Sequence, residues 1–210
     1  MDKLWNRLSL TPDRCERIKI LAQYAMMVIA SVIGGSAFTY FLNPESYISI
    51  FYQMYAHFSL PFSACESLGE AIKLLFQYSF LKYICATIIF LFSFSVLNHI
   101  VSQCILILTA FKLGFTNVLL LRMMSYDVIR FYIAPLKCCI YIATSWILLI
   151  GCFIYSIRMA NYSISVFQHT TSGRAMISSV PLIQLFCCFL RYCVFLIFTS
   201  VIYGFLIFLL

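Results

Sequence analysis

The 39 residues from position 83 to position 121 contain a single charged side chain, that of Lys112. As one straight helix they would be ~58 Å long, about twice the thickness of the hydrocarbon core of a bilayer. We therefore expect two membrane spans within this run, with the turn at Asn98-His99. A single long tilted span followed by a re-entrant segment is the alternative.

Composition explains why lipid must surround such a chain. Hydrophobic residues make up 63% of the sequence and charged residues 10%, whereas a soluble domain carries about 25% charged residues. The mean hydropathy is +0.98. A water-soluble core cannot hold that much apolar surface. The net charge of +7 is then expected to set topology and attract anionic membrane lipid, and no nucleic-acid partner is expected.

Two further features complete the span assignment. Residues 20–42 carry no charge and are long enough to cross the membrane; a cleaved signal peptide is the alternative. Residues 175–190 are apolar but short and contain Pro181, which favours an interfacial or re-entrant segment. The expected class is an all-α, polytopic transmembrane helical bundle of about five spans, with a basic N-terminus (1–19) and one membrane domain (20–210). Its spans lie near 20–42, 83–97, 100–121, 138–157 and 192–210.

Between the first two spans the sequence predicts a surface helix. Pro44 follows Asn43 and disfavours further helix there. Ser67 and Glu70 have the spacing of a capping box, which predicts a helix that opens near them. The apolar residues that follow suggest that this helix lies at the membrane surface before it enters the second span.

Charge asymmetry predicts the orientation. If the N-terminus is cytoplasmic, eight Lys and Arg residues lie inside and five lie outside, as counted over the predicted loops. Such an excess is typical of cytoplasmic segments. With five spans, the C-terminus would face outward.

The sequence carries few residues suited to catalysis. It contains no H-E-x-x-H, G-x-S-x-G or P-loop motif. No predicted span contains Asp or Glu, which proton relays and intramembrane carboxylate enzymes use. The ten cysteines include no C-x-x-C pair and are interpreted as small buried hydrophobes. We therefore expect no catalytic, cofactor-binding or metal-binding site.

Small residues and isolated cations are the remaining candidates. Gly34, Gly35, Ala110 and Gly114 take part in small-x-x-x-small patterns and are candidates for internal packing or for contact with a partner helix. Lys112 is interpreted as a snorkelling lysine or as a contact to a partner or to internal carbonyls. Arg191 is expected to anchor the cytoplasmic entrance of the fifth span. Asn98 and His99 are polar groups within or beside the membrane.

The order of these features resembles a known family. The segments that carry the resemblance are Val32-Ile33-Gly34-Gly35-Ser36-Ala37, Phe80-Leu81-Lys82-Tyr83, Ala110-Phe111-Lys112-Leu113-Gly114-Phe115-Thr116, Ala134-Pro135-Leu136 and Phe189-Leu190-Arg191-Tyr192. Together they resemble the stage II sporulation protein M family of endospore-forming bacteria, from about residue 20 onward. The best local match is Leu113 to Thr116, with the residues 123–136 behind it.

The resemblance implies a scaffold without catalytic activity. Members of that family anchor two peptidoglycan-degrading partners, stage II sporulation proteins D and P, at the septal membrane for septal thinning and engulfment. The alternative is the membrane subunit of a permease. Its polar pathway would draw on Asn98, His99, Gln103, Thr109 and Lys112, although the last three do not form one continuous helical stripe.

Overall fold

The computed structural model describes residues 14–43, 46, 49–50, 68–95, 97–124, 135–171 and 179–209. These residues form five long α-helices and, within the same ranges, no strand. In chain order the helices are α1 (Arg14–Phe41), α2 (Leu68–Phe92), α3 (Asn98–Met124), α4 (Pro135–Thr171) and α5 (Ser179–Leu209). The expected all-α, polytopic membrane class is confirmed.

Four of the helices are long and apolar enough to cross a membrane. Their apolar segments are Ile18–Phe41 in α1, Asn98–Arg122 in α3, Cys138–Ser163 in α4 and Ile183–Leu206 in α5. The apolar part of α2, Ser79–Phe92, is shorter. α2 begins directly after Ser67, with Glu70 in its first turn, where the capping-box pattern predicts a helix; Ser67 itself lies outside the described residues.

The turn between α2 and α3 comes a few residues before the predicted position. Residues 93–95 and 97 form the turn, and Asn98 already begins α3. The amide of Leu97 donates to the Ser95 hydroxyl oxygen at 3.1 Å, and the Ser95 amide donates to the Phe92 carbonyl at 2.8 Å. Short hydroxyl side chains compete for backbone groups in this way, so the serines end α2 before the asparagine is reached.

Two helices run further than the sequence pattern predicts. α4 continues to Thr171, well past residue 157, where the predicted fourth span ends. No glycine or proline interrupts residues 152–172, so nothing in the chain forces an earlier end. α5 begins at Ser179 and takes in most of the segment assigned to an interfacial or re-entrant role. Pro181 lies in its first turn, where proline is tolerated.

α1 and α3 run side by side in the same direction. The Tyr24 hydroxyl and the Ser102 hydroxyl are 2.8 Å apart near one end of the pair. Arg122 donates from Nη1 to the Thr39 carbonyl at 3.3 Å near the other. We call the end where α1, α3 and α5 begin the N-terminal end of the bundle.

α2 and α4 run in the opposite direction to α3 and α5. Ser79 of α2 contacts Ser200 near the end of α5, while Phe90 stacks on Phe189 nearer its start, with ring centroids 4.6 Å apart. Antiparallel neighbours joined by short turns are the usual outcome of a chain that crosses a membrane repeatedly. All five helices therefore pack into one up-and-down bundle.

Glycine brings the α1 and α3 backbones together. A Cβ atom built on Gly35 would overlap the carbonyl of Phe111, and one built on Gly114 would overlap the carbonyl of Val32. Backbone, unlike a flexible side chain, cannot move aside without moving its helix. A Cβ on Gly34 would meet no atom of the described residues within 4 Å, so neighbouring glycines have opposite roles.

We predict that Gly35→Ala and Gly114→Ala each lower the free energy of unfolding by about 1–3 kcal/mol, the usual cost of overpacking a close contact. Unfolding in mixed micelles, followed by far-UV circular dichroism, measures the effect. Gly34→Ala is the matched control and should be neutral or slightly stabilising, because alanine favours helix. Equal losses in all three variants would show that the α1–α3 backbones do not meet at Gly35 and Gly114.

Candidate functional site

A polar network joins α1 to α3 at the N-terminal end of the bundle. Tyr24 is fully buried, and its hydroxyl lies 2.8 Å from Ser102 Oγ and 3.2 Å from His99 Nδ1. Gln103 Nε2 lies 2.9 Å from the other ring nitrogen of His99. Both nitrogens of His99 are therefore engaged within the bundle, which fixes its ring and favours a packing role.

Sequence reasoning missed Tyr24 and Ser102, although a signal for the first was present. Tyr24 precedes Gly35 by 11 residues, close to three helical turns, and Thr39 follows four residues later. Residues at this spacing share one face of a helix. All three are buried, and together they trace the face of α1 that packs on α3.

Asn98 occupies the first position of α3 and is fully buried. Neither its side-chain oxygen nor its nitrogen has a hydrogen-bond partner among the described residues. Burial of an amide without compensation is costly, about 1–3 kcal/mol on protein scales. Because the Asn98 side chain has no hydrogen bond to the network around His99, these two neighbouring polar residues do not form one site.

The predicted small-residue positions divide into inner and outer ones. Ala110 is fully buried, and Gly35 and Gly114 lie at the α1–α3 contact. Gly34 lies on the outer surface of α1, as does Ala30 one turn before it. Of the four predicted residues, three hold the bundle together and only Gly34 remains open to lipid or to another helix.

The basic residues of the spans occupy the outer surface and one interior position. Lys112 is exposed on α3, which places it away from an internal cluster of carbonyls. The ammonium nitrogen of Lys82 on α2 is buried and lies within electrostatic range of Lys112. Arg191 is exposed and lies well inside the apolar segment of α5, deeper than the entrance position expected for it.

Tyrosine and cysteine fill the centre of the bundle where α2, α4 and α5 meet. The rings of Tyr155 and Tyr192 stack with centroids 4.3 Å apart and an interplanar angle of 5°. The Tyr155 hydroxyl donates to the Ala86 carbonyl at 3.0 Å, and Cys152 lies within hydrogen-bonding reach of Tyr192. Aromatic stacking and a satisfied hydroxyl are typical of a structural core.

The described residues offer little for metal or acid–base chemistry. Within them, no group of three or more His, Cys, Asp or Glu side chains could hold a metal ion. The apolar segments of α1, α3, α4 and α5 contain no carboxylate. No family model, curated protein or solved structure matches the chain. The surfaces of the helical bundle are therefore the features that bear on its function.

We predict that Tyr24→Phe lowers the free energy of unfolding by about 1 kcal/mol, because Ser102 and His99 lose a buried hydrogen-bond partner. Thermal unfolding in detergent provides the measurement. Tyr40→Phe is the control: Tyr40 is 68% exposed, and phenylalanine keeps the ring on which Arg122 lies, 3.9 Å from the centroid. A loss of the same size in the control would contradict a specific role for the network.

Removal of the buried Asn98 amide should stabilise the protein. Leucine has a similar shape and needs no hydrogen bonds, so Asn98→Leu should raise the free energy of unfolding by about 1–3 kcal/mol. The same unfolding experiment tests this, with Ser102→Ala as a comparison that should be destabilising. A less stable Asn98→Leu protein would show that the amide has a hydrogen-bond partner outside the described residues.

Proposed function

We propose that this protein is a non-catalytic membrane scaffold that gathers extracytoplasmic partners, as the resemblance to stage II sporulation protein M implies. In this role it anchors peptidoglycan-degrading proteins, similar to stage II sporulation proteins D and P, at the septal membrane. The partners degrade peptidoglycan for septal thinning and engulfment. The membrane protein contributes binding and placement.

One observation carries the proposal: α1 is attached to the bundle along a narrow face. In the most apolar stretch of the α1 span, 11% of the residues are buried inside the bundle. In the corresponding stretch of α3 the share is 44%. Ala30 and Gly34 lie on the outer side of α1, and small residues let another helix approach closely in lipid. An open helix of this kind suits assembly with a partner.

The permease alternative receives less support from the same geometry. His99 and Gln103 bond to each other at the α1–α3 contact, and the Thr109 hydroxyl donates to the Ile105 carbonyl of its own helix at 2.7 Å. Lys112 lies on the outer surface. These groups do not face one common interior, whereas a solute pathway would require them to do so.

The scaffold proposal is tested by pull-down in mild detergent from membranes of cells entering sporulation. We expect the unaltered protein to recover extracytoplasmic cell-wall hydrolases and Gly34→Leu to lose them while still inserting, because leucine blocks the open small-residue face. Gly114→Leu is unsuitable here, since the Gly114 side of α3 contacts α1 and the fold itself would be disturbed.

Cys104→Leu is the control, because Cys104 is also exposed, on α3, and the change places the same leucine side chain on a different helix. It should recover the same hydrolases as the unaltered protein. Equal recovery by Gly34→Leu and Cys104→Leu would contradict the role of the α1 face. Recovery of an ATPase in place of hydrolases would favour the permease.

A further inference from the structure

Two exposed arginines lie near the same level of neighbouring helices. Arg158 on α4 follows Tyr155 by three residues, Arg191 on α5 directly precedes Tyr192, and both arginines lie within electrostatic range of Cys188. Cys188 is buried, whereas both arginines are exposed on the outer surface of the bundle. The helices touch at this level, since Tyr155 stacks on Tyr192. The two guanidinium groups therefore belong to one surface patch, which we call the Arg158–Arg191 patch.

The patch lies inside the membrane near one of its faces. Arg158 is five residues from the end of the apolar segment Cys138–Ser163, and Arg191 is eight residues from the start of Ile183–Leu206. At 1.5 Å per residue these are depths of about 8 and 12 Å. The segments of 26 and 24 residues exceed a ~30 Å hydrocarbon core by several ångströms, so both side chains can extend to the lipid phosphates.

The charge of the patch calls for an anion from outside these helices. No Asp or Glu occurs anywhere in residues 128–210, which include all of α4 and α5. Positive charges in a medium of low dielectric constant repel each other, and each is costly in lipid. An anion between them would relieve both costs.

We propose that the Arg158–Arg191 patch binds the phosphate of an anionic phospholipid in the leaflet at the N-terminal end of the bundle. By the positive-inside rule, this end faces the cytoplasmic leaflet. Guanidinium groups match phosphate oxygens with paired donors, and basic grooves between membrane helices on that side are suited to anionic headgroups. This site does not depend on the scaffold proposal.

The test is a lipid titration of the purified full-length chain, stripped of lipid in detergent and followed by native mass spectrometry. Phosphatidylglycerol and phosphatidylcholine with the same acyl chains are the probes. We expect the first phosphatidylglycerol to bind about 30-fold more tightly than phosphatidylcholine, which corresponds to two basic groups at the membrane surface. The R158Q/R191Q variant should lose this preference. Equal binding of the two lipids by the unaltered protein would overturn the proposal.

Two variants separate the patch from general positive charge. K19Q removes one cation from the exposed Lys19 at the same end of the bundle and should keep the preference, whereas R191Q should lose about fivefold of it. R158K/R191K keeps the charge without the paired donors and should retain part of the preference. Equal losses in K19Q and R191Q would overturn the assignment to this patch.

The source of the phosphate and the state of the variants are controlled in the same experiment. Inorganic phosphate in large excess should leave the bound phosphatidylglycerol in place; its displacement by phosphate at equal concentration would overturn a lipid site. Far-UV circular dichroism in the same detergent shows whether each variant remains helical. If R158Q/R191Q unfolds, the preferences of R191Q and R158K/R191K for phosphatidylglycerol over phosphatidylcholine test the proposal.

Discussion

The fold depends on the contact between the backbones of α1 and α3. In lipid, helices gain little from hiding apolar side chains from one another, so association relies on close packing and hydrogen bonds. Gly35 and Gly114 allow the two backbones to approach where any Cβ atom would overlap a carbonyl group. Within the described ranges α1 makes few contacts with helices other than α3, and without this approach it would be held only by its ends.

Those ends are fixed by polar groups, which set the register of the pair. At the N-terminal end the Tyr24 hydroxyl reaches Ser102. At the opposite end Arg122 donates to the Thr39 carbonyl, a group that the last turn of α1 leaves without a helical partner, and its guanidinium lies over the ring of Tyr40. A slip of α1 by one turn would break both contacts, so the small residues provide proximity and the polar residues provide position.

Much of the architecture could be predicted from sequence because lipid restricts the choice of structure. A 39-residue run with only Lys112 charged must be divided, and in a membrane it must be helical. The helix ends were harder to predict, since they depend on local competition for backbone hydrogen bonds. The turn at Ser95 ends α2 early, and nothing ends α4 before Thr171. Hydrophobicity does not report such effects.

The candidate sites could be predicted only in part, because a small-x-x-x-small pattern does not say which way it faces. Gly34 and Gly35 are adjacent in sequence, yet one is open and the other is closed by α3. Arg158 and Arg191 are 33 positions apart and come to a similar level of the bundle only because α4 and α5 pack antiparallel. In both cases the face that a helix turns to its neighbour decides the site, and for Gly34 and Gly35 that face is set by the parallel pairing of α1 with α3.

Distances between spin labels in lipid nanodiscs test that pairing most directly. Labels introduced as encoded non-natural residues leave the ten cysteines in place. Phe41, Ile100 and Leu121 are suitable positions, because all three are exposed. Ile100 and Leu121 lie about 31 Å apart along α3. Parallel pairing predicts a short distance for the Phe41–Leu121 pair and a much longer one for Phe41–Ile100. The reverse order, or two equal distances, would contradict it.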